Sequence, residues 1–103
     1  MSNAIESAHE LQHCVESYQG GFKNETALRE ITRHVNTICW TEVAASYEAG
    51  NVLDWAKILY SAKKHEPWGV DKVQSIVLEC CASLRMKLEQ LKRQGVGDPD
   101  LPA

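Results

Sequence analysis

Two histidines one helical turn apart are the residues of this sequence that are best spaced for chemistry. His9, Glu10 and His13 match the pattern H-E-x-x-H, in which two imidazoles bind zinc and the glutamate activates a zinc-bound water. A zinc site of this type needs a third protein ligand. The sequence offers three candidates for that ligand: His34, Glu42 and His65. A metal-binding or metal-dependent protein that uses His9 and His13 is therefore one function that the sequence suggests.

The helix predicted around this motif turns both imidazoles away from its apolar face. His9 lies about 120° and His13 about 160° around the axis from the mean apolar direction, whereas a catalytic zinc would need them turned inward. Proteases with this motif lay their substrate along a sheet edge, and no stretch of the sequence predicts a strand. We therefore assign no catalytic residue and no cofactor, and we predict that the protein is not an enzyme.

The four cysteines do not add a metal or redox site. Cys14, Cys39, Cys80 and Cys81 include no C-x-x-C pair, the spacing from which zinc ribbons and thioredoxin-like sites are built. On a helix the adjacent Cys80 and Cys81 point about 100° apart, which disfavours a bridge between them. We therefore predict reduced thiols, and we assign Cys39 and Cys80, which fall on apolar stripes, to core packing.

Composition and charge are those of an ordinary globular chain. The 103 residues suffice for one domain, and a content of 44% hydrophobic and 24% charged residues argues against disorder. No apolar run approaches the roughly 20 residues that cross a bilayer, so we expect no membrane partner and a cytoplasmic location. The net charge of −3 argues against a nucleic-acid partner. A nucleic-acid-associated regulator would have to use the basic cluster near the C-terminus: Arg85, Lys87, Lys92 and Arg93.

These residues must be positioned by helices, because apolar residues recur every three or four positions. The predicted fold class is all-α, a small bundle of about four helices. The first helix is expected from about Asn3 to Gln19, before Gly20. Ser2 to Ala4 also resemble the remnant of a cleaved expression tag, although Met1 stands in front of them, so whether they are native stays open.

The second helix begins at Asn24, and its apolar stripe changes direction part-way along. Residues 28–39 carry one stripe. The next apolar group, Trp40, Val43 and Tyr47, projects well over 100° around the axis from it. The two halves of this segment therefore face different neighbours.

Two conformations would explain that change of direction. The chain could break near Thr41 and begin a new helix, or one helix could run over residues 24–49 and end at Gly50. We prefer the unbroken helix, because neither proline nor glycine interrupts the segment.

The third helix is expected from Asn51 to about Lys64. It is apolar around most of its circumference, so it must be covered on more than one side. The fourth helix is expected from residue 70 or 71 to Gln94. Its apolar residues approximate a coiled-coil seam: Val70, Val73, Val77, Cys80, Leu84, Leu88 and Leu91. Residues 1–94 would then form a single helical domain and residues 95–103 a flexible tail.

Large aromatic side chains concentrate in the middle third of the chain, and such residues are frequent hot spots of protein interfaces. With their apolar neighbours they form the predicted partner or dimer interface: Trp40, Val43, Tyr47, Leu53, Trp55, Tyr60 and Trp68. The same residue types also build cores. Core packing is favoured for Trp55, whereas an interface suits Trp40, Tyr47 and Trp68, and the choice between core and interface stays open.

The predicted helix lengths suggest an oligomer. Two helices of about 25 residues would each be nearly 38 Å long, and the two shorter helices could not flank them throughout. We therefore expect a homodimer, with the surface of the third helix or the seam of the fourth at the two-fold axis.

The predicted function is a non-enzymatic regulatory module that sequesters or adapts a partner protein through its apolar and aromatic helical surface. Transcription-factor anti-activators are one example of such small inhibitors, so a transcriptional regulator is one candidate partner. The sequence does not specify the identity of the partner.

Overall fold

Four α-helices make up the part of the chain that the structure describes. The computed structural model describes residues 3–18, 24–61 and 68–97. The helices are α1 at Asn3–Glu16, α2 at Asn24–Thr41, α3 at Ser46–Leu59 and α4 at Val70–Gly97, with a 3-10 turn at Val43–Ala45. Within these segments there is no strand, and the predicted all-α bundle is confirmed. None of these helices has the length and apolar character that a membrane crossing requires.

Each helix runs antiparallel to the next one along the chain. At one end of the bundle the Tyr60 hydroxyl donates to the Cys14 carbonyl at 3.3 Å, and the Asn24 side-chain amide donates to the Tyr60 carbonyl at 3.1 Å. At the same end, Gln74 donates to the carbonyl of Val15 at 3.0 Å. The last turns of α1 and α3 therefore meet the first turns of α2 and α4. Since α1 also packs on α4, the topology is an up-down-up-down four-helix bundle.

One apolar stripe from each helix builds the core. The largest fully buried side chains are Leu11, Ile31, Ile38, Leu59, Leu84, Val15, Val52, Val73, Val77 and Cys81. On the α3 side the buried set also contains three alanines, Ala45, Ala49 and Ala56. Side chains this small let neighbouring helices approach closely, and α3 packs against both α2 and α4. The sequence predicted that the third helix must be covered on more than one side, and α2 and α4 of the same chain cover α3 in this way.

The preferred prediction of one unbroken helix over residues 24–49 is wrong, because the chain breaks at Glu42. Its backbone angles, φ −137° and ψ 82°, are not helical. On a continued helix, Glu42 would follow Ile38 by four residues and fall on the buried stripe. Burying that carboxylate without a partner would cost several kcal/mol. The break leaves Glu42 half-buried, and Ala45, three residues further on, lies in the core.

The predicted boundary between the second and third helices at Gly50 and Asn51 is also wrong, since both residues lie inside α3. The buried stripe of Ala49, Val52 and Ala56 continues across them without interruption. Tertiary packing of that stripe outweighs the cost of a helical glycine, about 1 kcal/mol. The helix ends at Leu59, and residues 62–64 of the predicted third helix lie outside the described residues. The same holds for Gln19, the predicted end of the first helix, whereas α1 ends at Glu16.

Helix α4 carries the predicted seam on its inner face. Val73, Val77, Leu84 and Leu88 are buried inside the single chain. The homodimer expected from the sequence, with this seam or the surface of the third helix at its axis, stays a prediction. The fully buried cysteine is Cys81, whereas Cys39 and Cys80 are half-buried against the core. All four cysteines are free. The helix continues three residues past the predicted end, to Gly97, and residues 98–103 of the predicted tail lie outside the described residues.

Helix α4 is the longest of the four helices. Its 28 residues extend about 42 Å, whereas the 14 residues of α1 and of α3 extend about 21 Å. Beyond the half-buried Leu91, three successive residues, 92–94, are exposed and point in three directions. The end of α4 therefore leaves the bundle. The prediction of a dimer from helix lengths assumed two helices of about 25 residues. Because α2 ends at Thr41, that reasoning now applies only to the short overhang of α4.

Candidate functional site

The turn from α2 to α3 displays the three most exposed of the large apolar side chains in the described residues. Trp40 ends α2, Val43 lies in the 3-10 turn and Tyr47 begins α3, with exposed fractions of 85%, 73% and 75%. Ala44, between them, is exposed as well. We call Trp40, Val43, Ala44 and Tyr47 the corner patch. It lies at the end of the bundle opposite Tyr60.

The sequence places these side chains outside because they oppose the core stripe. At about 100° per residue, Trp40 lies about half a turn from the direction of Ile31 and Ile38. Val43, in the 3-10 turn, and Tyr47, in the first turn of α3, are exposed as Trp40 is. The exposure of the three side chains therefore follows the direction that their spacing in the sequence predicts.

The corner patch is also free of exposed charge. From residue 36 to 47, the exposed positions are Asn36, Trp40, Thr41, Val43, Ala44 and Tyr47. The only carboxylate in this stretch belongs to Glu42, which is half-buried. Charged residues, in contrast, occupy much of the exposed face of α1, from Glu6 to Glu16. A neutral, aromatic surface of this kind suits an apolar partner surface.

Two shallow depressions lie along the outside of the bundle. One follows α2 and ends at Trp40, with these lining residues: Arg29, Thr32, Arg33, Asn36, Thr37, Trp40 and Thr41. The other follows α4 beside Glu48 and includes the exposed Met86. Each is lined by a single helix, apart from Glu48, so each is a helix face without an opposing wall. Small molecules bind mostly in concave pockets, so such open faces fit an elongated polypeptide better.

The α2 face carries one ion pair. Arg33 donates to the Glu30 carboxylate at 2.6 Å, with both side chains well exposed. This hydrogen bond, together with the charge of Arg33, lowers the pKa of Glu30. An exposed pair of this kind adds little to stability. It leaves Arg29 as the other cation on this face.

The other aromatic residues of the predicted interface lie away from the corner patch or inside the bundle. Trp55 and Trp68 contact each other edge to face, with ring centroids 5.8 Å apart. Trp55 and Leu53 are half-buried against the core, and Trp68 remains 45% exposed. Tyr60 is buried, so its ring packs within the bundle and offers little surface to a partner. Which of these residues contact another chain stays a prediction.

The H-E-x-x-H residues lie on the outer face of α1. His9, Glu10 and His13 are all exposed, as their angular offset from the apolar stripe predicts. The candidate third ligands lie elsewhere: His34 is buried on α2, Glu42 is at the α2–α3 turn, and His65 lies outside the described residues. Across residues 3–18, 24–61 and 68–97, no three His, Cys, Asp or Glu side chains come together as a metal site. Two exposed imidazoles can bind a metal ion only weakly.

Sequence reasoning missed the buried environment of His34 and Cys14. Burial, followed by the charge of Arg33, lowers the pKa of His34, while Glu30 and Glu10 act in the opposite direction. Burial also raises the pKa of the Cys14 thiol, with Glu30 and Glu10 adding to that effect. The signal was available, since His34 follows the buried Ile31 by three residues and precedes Ile38 by four. Both groups are therefore held in their neutral forms at neutral pH.

The basic cluster near the C-terminus is not held as one cationic surface. Arg85 donates to the Gln12 side-chain oxygen at 2.9 Å, which joins α4 to α1. Lys92 and Arg93 are exposed on the overhang of α4. Lys87 projects about 200° around the helix from Arg85. This arrangement resembles solvated helix charges more than a phosphate-binding face.

Comparison of the chain with protein-family profiles, with curated proteins and with solved structures found no match. A functional conclusion therefore depends on the chemistry of the described surfaces. Among these, the corner patch is the feature that the fold itself does not use, because Trp40, Val43 and Tyr47 contribute little to the core.

Proposed function

We propose that this chain is a non-enzymatic regulatory module that sequesters or adapts a partner protein through the corner patch. The exposure of Trp40, Val43 and Tyr47 on one turn is the observation that carries the proposal. Tryptophan and tyrosine lose few rotamers when they are immobilised and bury much surface, so they are frequent hot spots. A partner that covers them gains affinity from side chains that are already oriented by the helix ends.

The chemistry of the neighbouring α2 face supports a polypeptide as the partner. From Trp40 this face continues through Asn36 and Thr37 toward Arg29, without an opposing wall. An amphipathic helix of the partner could lie along it, with apolar side chains on Trp40 and polar groups beside Arg29. A small inhibitor of a transcription factor is one protein class with these properties, and a cytoplasmic location is part of the same proposal.

The metal-dependent alternative has less support. It has two exposed imidazoles, His9 and His13, and no third ligand beside them among the described residues. A nucleic-acid partner has less support still, since the cations of α4 point in different directions. We therefore advance the protein-binding function alone.

Site-specific photo-crosslinking in cells tests the proposal. A photoreactive amino acid at Ala44, inside the corner patch, should give a discrete crosslinked band with another protein. The same amino acid at Ser83, exposed on α4, is the matched control and should not give that band. Trp40→Ala should remove the band, whereas Met86→Ala, which shortens the other well-exposed apolar side chain, should leave it unchanged. A band that survives Trp40→Ala, or one that forms equally from residue 83, would refute the proposed site.

A further inference from the structure

We infer that a second copy of this chain docks on the corner patch, patch against patch, in a reversible dimer that hides the surface used for the partner protein. The inference rests on the proposed function, because the second copy covers the same surface that the partner protein binds. It places the two-fold axis at the corner patch, whereas the sequence suggested the surface of the third helix or the α4 seam.

The absence of exposed charge in the patch is the first support for a second copy. In a symmetric dimer each surface meets itself, so every charged group near the axis would face a like charge. The exposed positions of the corner patch are aromatic or aliphatic, and Asn36 and Thr41 beside it are neutral, whereas the nearest carboxylates, Glu42 and Glu48, are half-buried. The exposed face of α1, with Glu6, Glu10 and Glu16, would repel its own copy. The corner patch is therefore better suited to self-association than the exposed face of α1.

The area of the patch is the second support. Trp40, Val43 and Tyr47 together expose on the order of 400 Å² of apolar side chain. Two copies would bury about 800 Å², and the neutral rim would raise the total to about 1,000 Å², the lower limit for a specific interface. An interface at that limit belongs to the weak, exchanging class, which leaves the patch accessible to a tighter partner.

Charge substitutions at the centre of the patch provide a specific test. Val43→Glu and Val43→Lys each place a like charge against its copy, so each variant alone should dimerise at least about tenfold more weakly than the wild type. An equimolar mixture should recover a heterodimer, because residue 43 of one chain then meets the opposite charge. Val43 is 73% exposed, so neither change disturbs the core, which circular dichroism and thermal unfolding would check. Met86→Glu is the matched control on α4.

Sedimentation velocity over about 5 to 500 μM measures the outcome. Concentration-dependent dimerisation of the wild type and of Met86→Glu, lost in both Val43 variants and regained in their mixture, supports the inference. A wild type that remains monomeric over the range overturns it, as does a dimer that persists in both variants or a mixture that fails to recover. These results are independent of the crosslinking in cells, so the second copy could be rejected while the partner-binding function stands.

Discussion

Tyr60 donates its hydroxyl hydrogen to the carbonyl oxygen of Cys14 at 3.3 Å, and this bond links α3 to α1 across the bundle. Helices α1 and α3 each pack mainly on α2 and α4, so they lie diagonally opposite each other and the bond joins opposite corners of the bundle. The Tyr60 ring also contacts Tyr18 edge to face, with centroids 5.0 Å apart. Burial raises the pKa of Tyr60 to about 12, which keeps the hydroxyl protonated as a donor.

Removing that hydroxyl should destabilise the bundle without altering its surface. We expect Tyr60→Phe to lower the free energy of unfolding by about 1 kcal/mol, the usual contribution of a buried hydrogen bond. Urea denaturation followed by circular dichroism measures the change. Tyr47→Phe is the matched control, because Tyr47 is 75% exposed and its hydroxyl is available to water. Equal stability of the two variants would contradict the structural role of Tyr60.

Gly50 and Gly69 should respond in opposite directions to alanine. A Cβ added at Gly50 meets nothing within 4 Å and the residue is helical, so Gly50→Ala should stabilise by about 0.5 to 1 kcal/mol. Gly69 has φ +91°, a conformation that alanine adopts only with strain, so Gly69→Ala should destabilise. Thermal unfolding of both variants compares them directly. If Gly50→Ala lowers the melting temperature, residue 50 is not inside α3 as described.

Acidification should destabilise the protein through His34. Its folded pKa lies below the ordinary 6.5, because the buried ring resists a charge, whereas the unfolded chain protonates it normally. The unfolded state therefore binds more protons as the pH falls below about 6.5, and stability decreases through that window. NMR titration should give His34 a lower pKa than that of a histidine in an unfolded peptide. A His34 pKa at or above 6.5 would show that the ring is accessible and would remove this source of acid sensitivity.

The exposed histidines provide a direct test of the metal alternative. We expect the protein, purified without an affinity tag, to contain no stoichiometric zinc, and His13→Ala to contain the same amount. Zinc titration by calorimetry should give weak binding, because two imidazoles leave half of a tetrahedral shell unfilled. Stoichiometric zinc that is lost in His13→Ala and raises the melting temperature of the wild type would establish a metal site instead.

The all-α fold was predictable because periodicity alone determines it. The spacing of Val73, Val77, Leu84 and Leu88 predicts α4 correctly, and the outward direction of His9 follows from the same arithmetic. The opposition of Trp40 to the core stripe likewise indicated an external surface. These predictions depend only on positions along a single helix.

The break at Glu42 and the continuity through Gly50 were harder to predict, because both depend on tertiary packing. No local breaker marks residue 42, and its charge at a core position was the available signal. Glycine usually weakens a helix, yet α3 continues past Gly50 because the buried Ala49 and Val52 on either side pack in the core. Relying on glycine and proline to mark helix ends therefore missed the break at Glu42 and placed a false boundary at Gly50. Cys39 and Cys80 pack against the core as their stripes predict, whereas the full burial of Cys81 depends on packing between helices.

The reversal at Glu42 also determines how many chains are needed to close the bundle. With leucine at this position, the penalty that interrupts the helix disappears, and residues 24–59 could form one continuous rod. A rod cannot fold back on itself, so α1 and α2 of one molecule would have to find α3 and α4 of another. We therefore infer that the Glu42 carboxylate favours the self-contained fold over a domain-swapped pair.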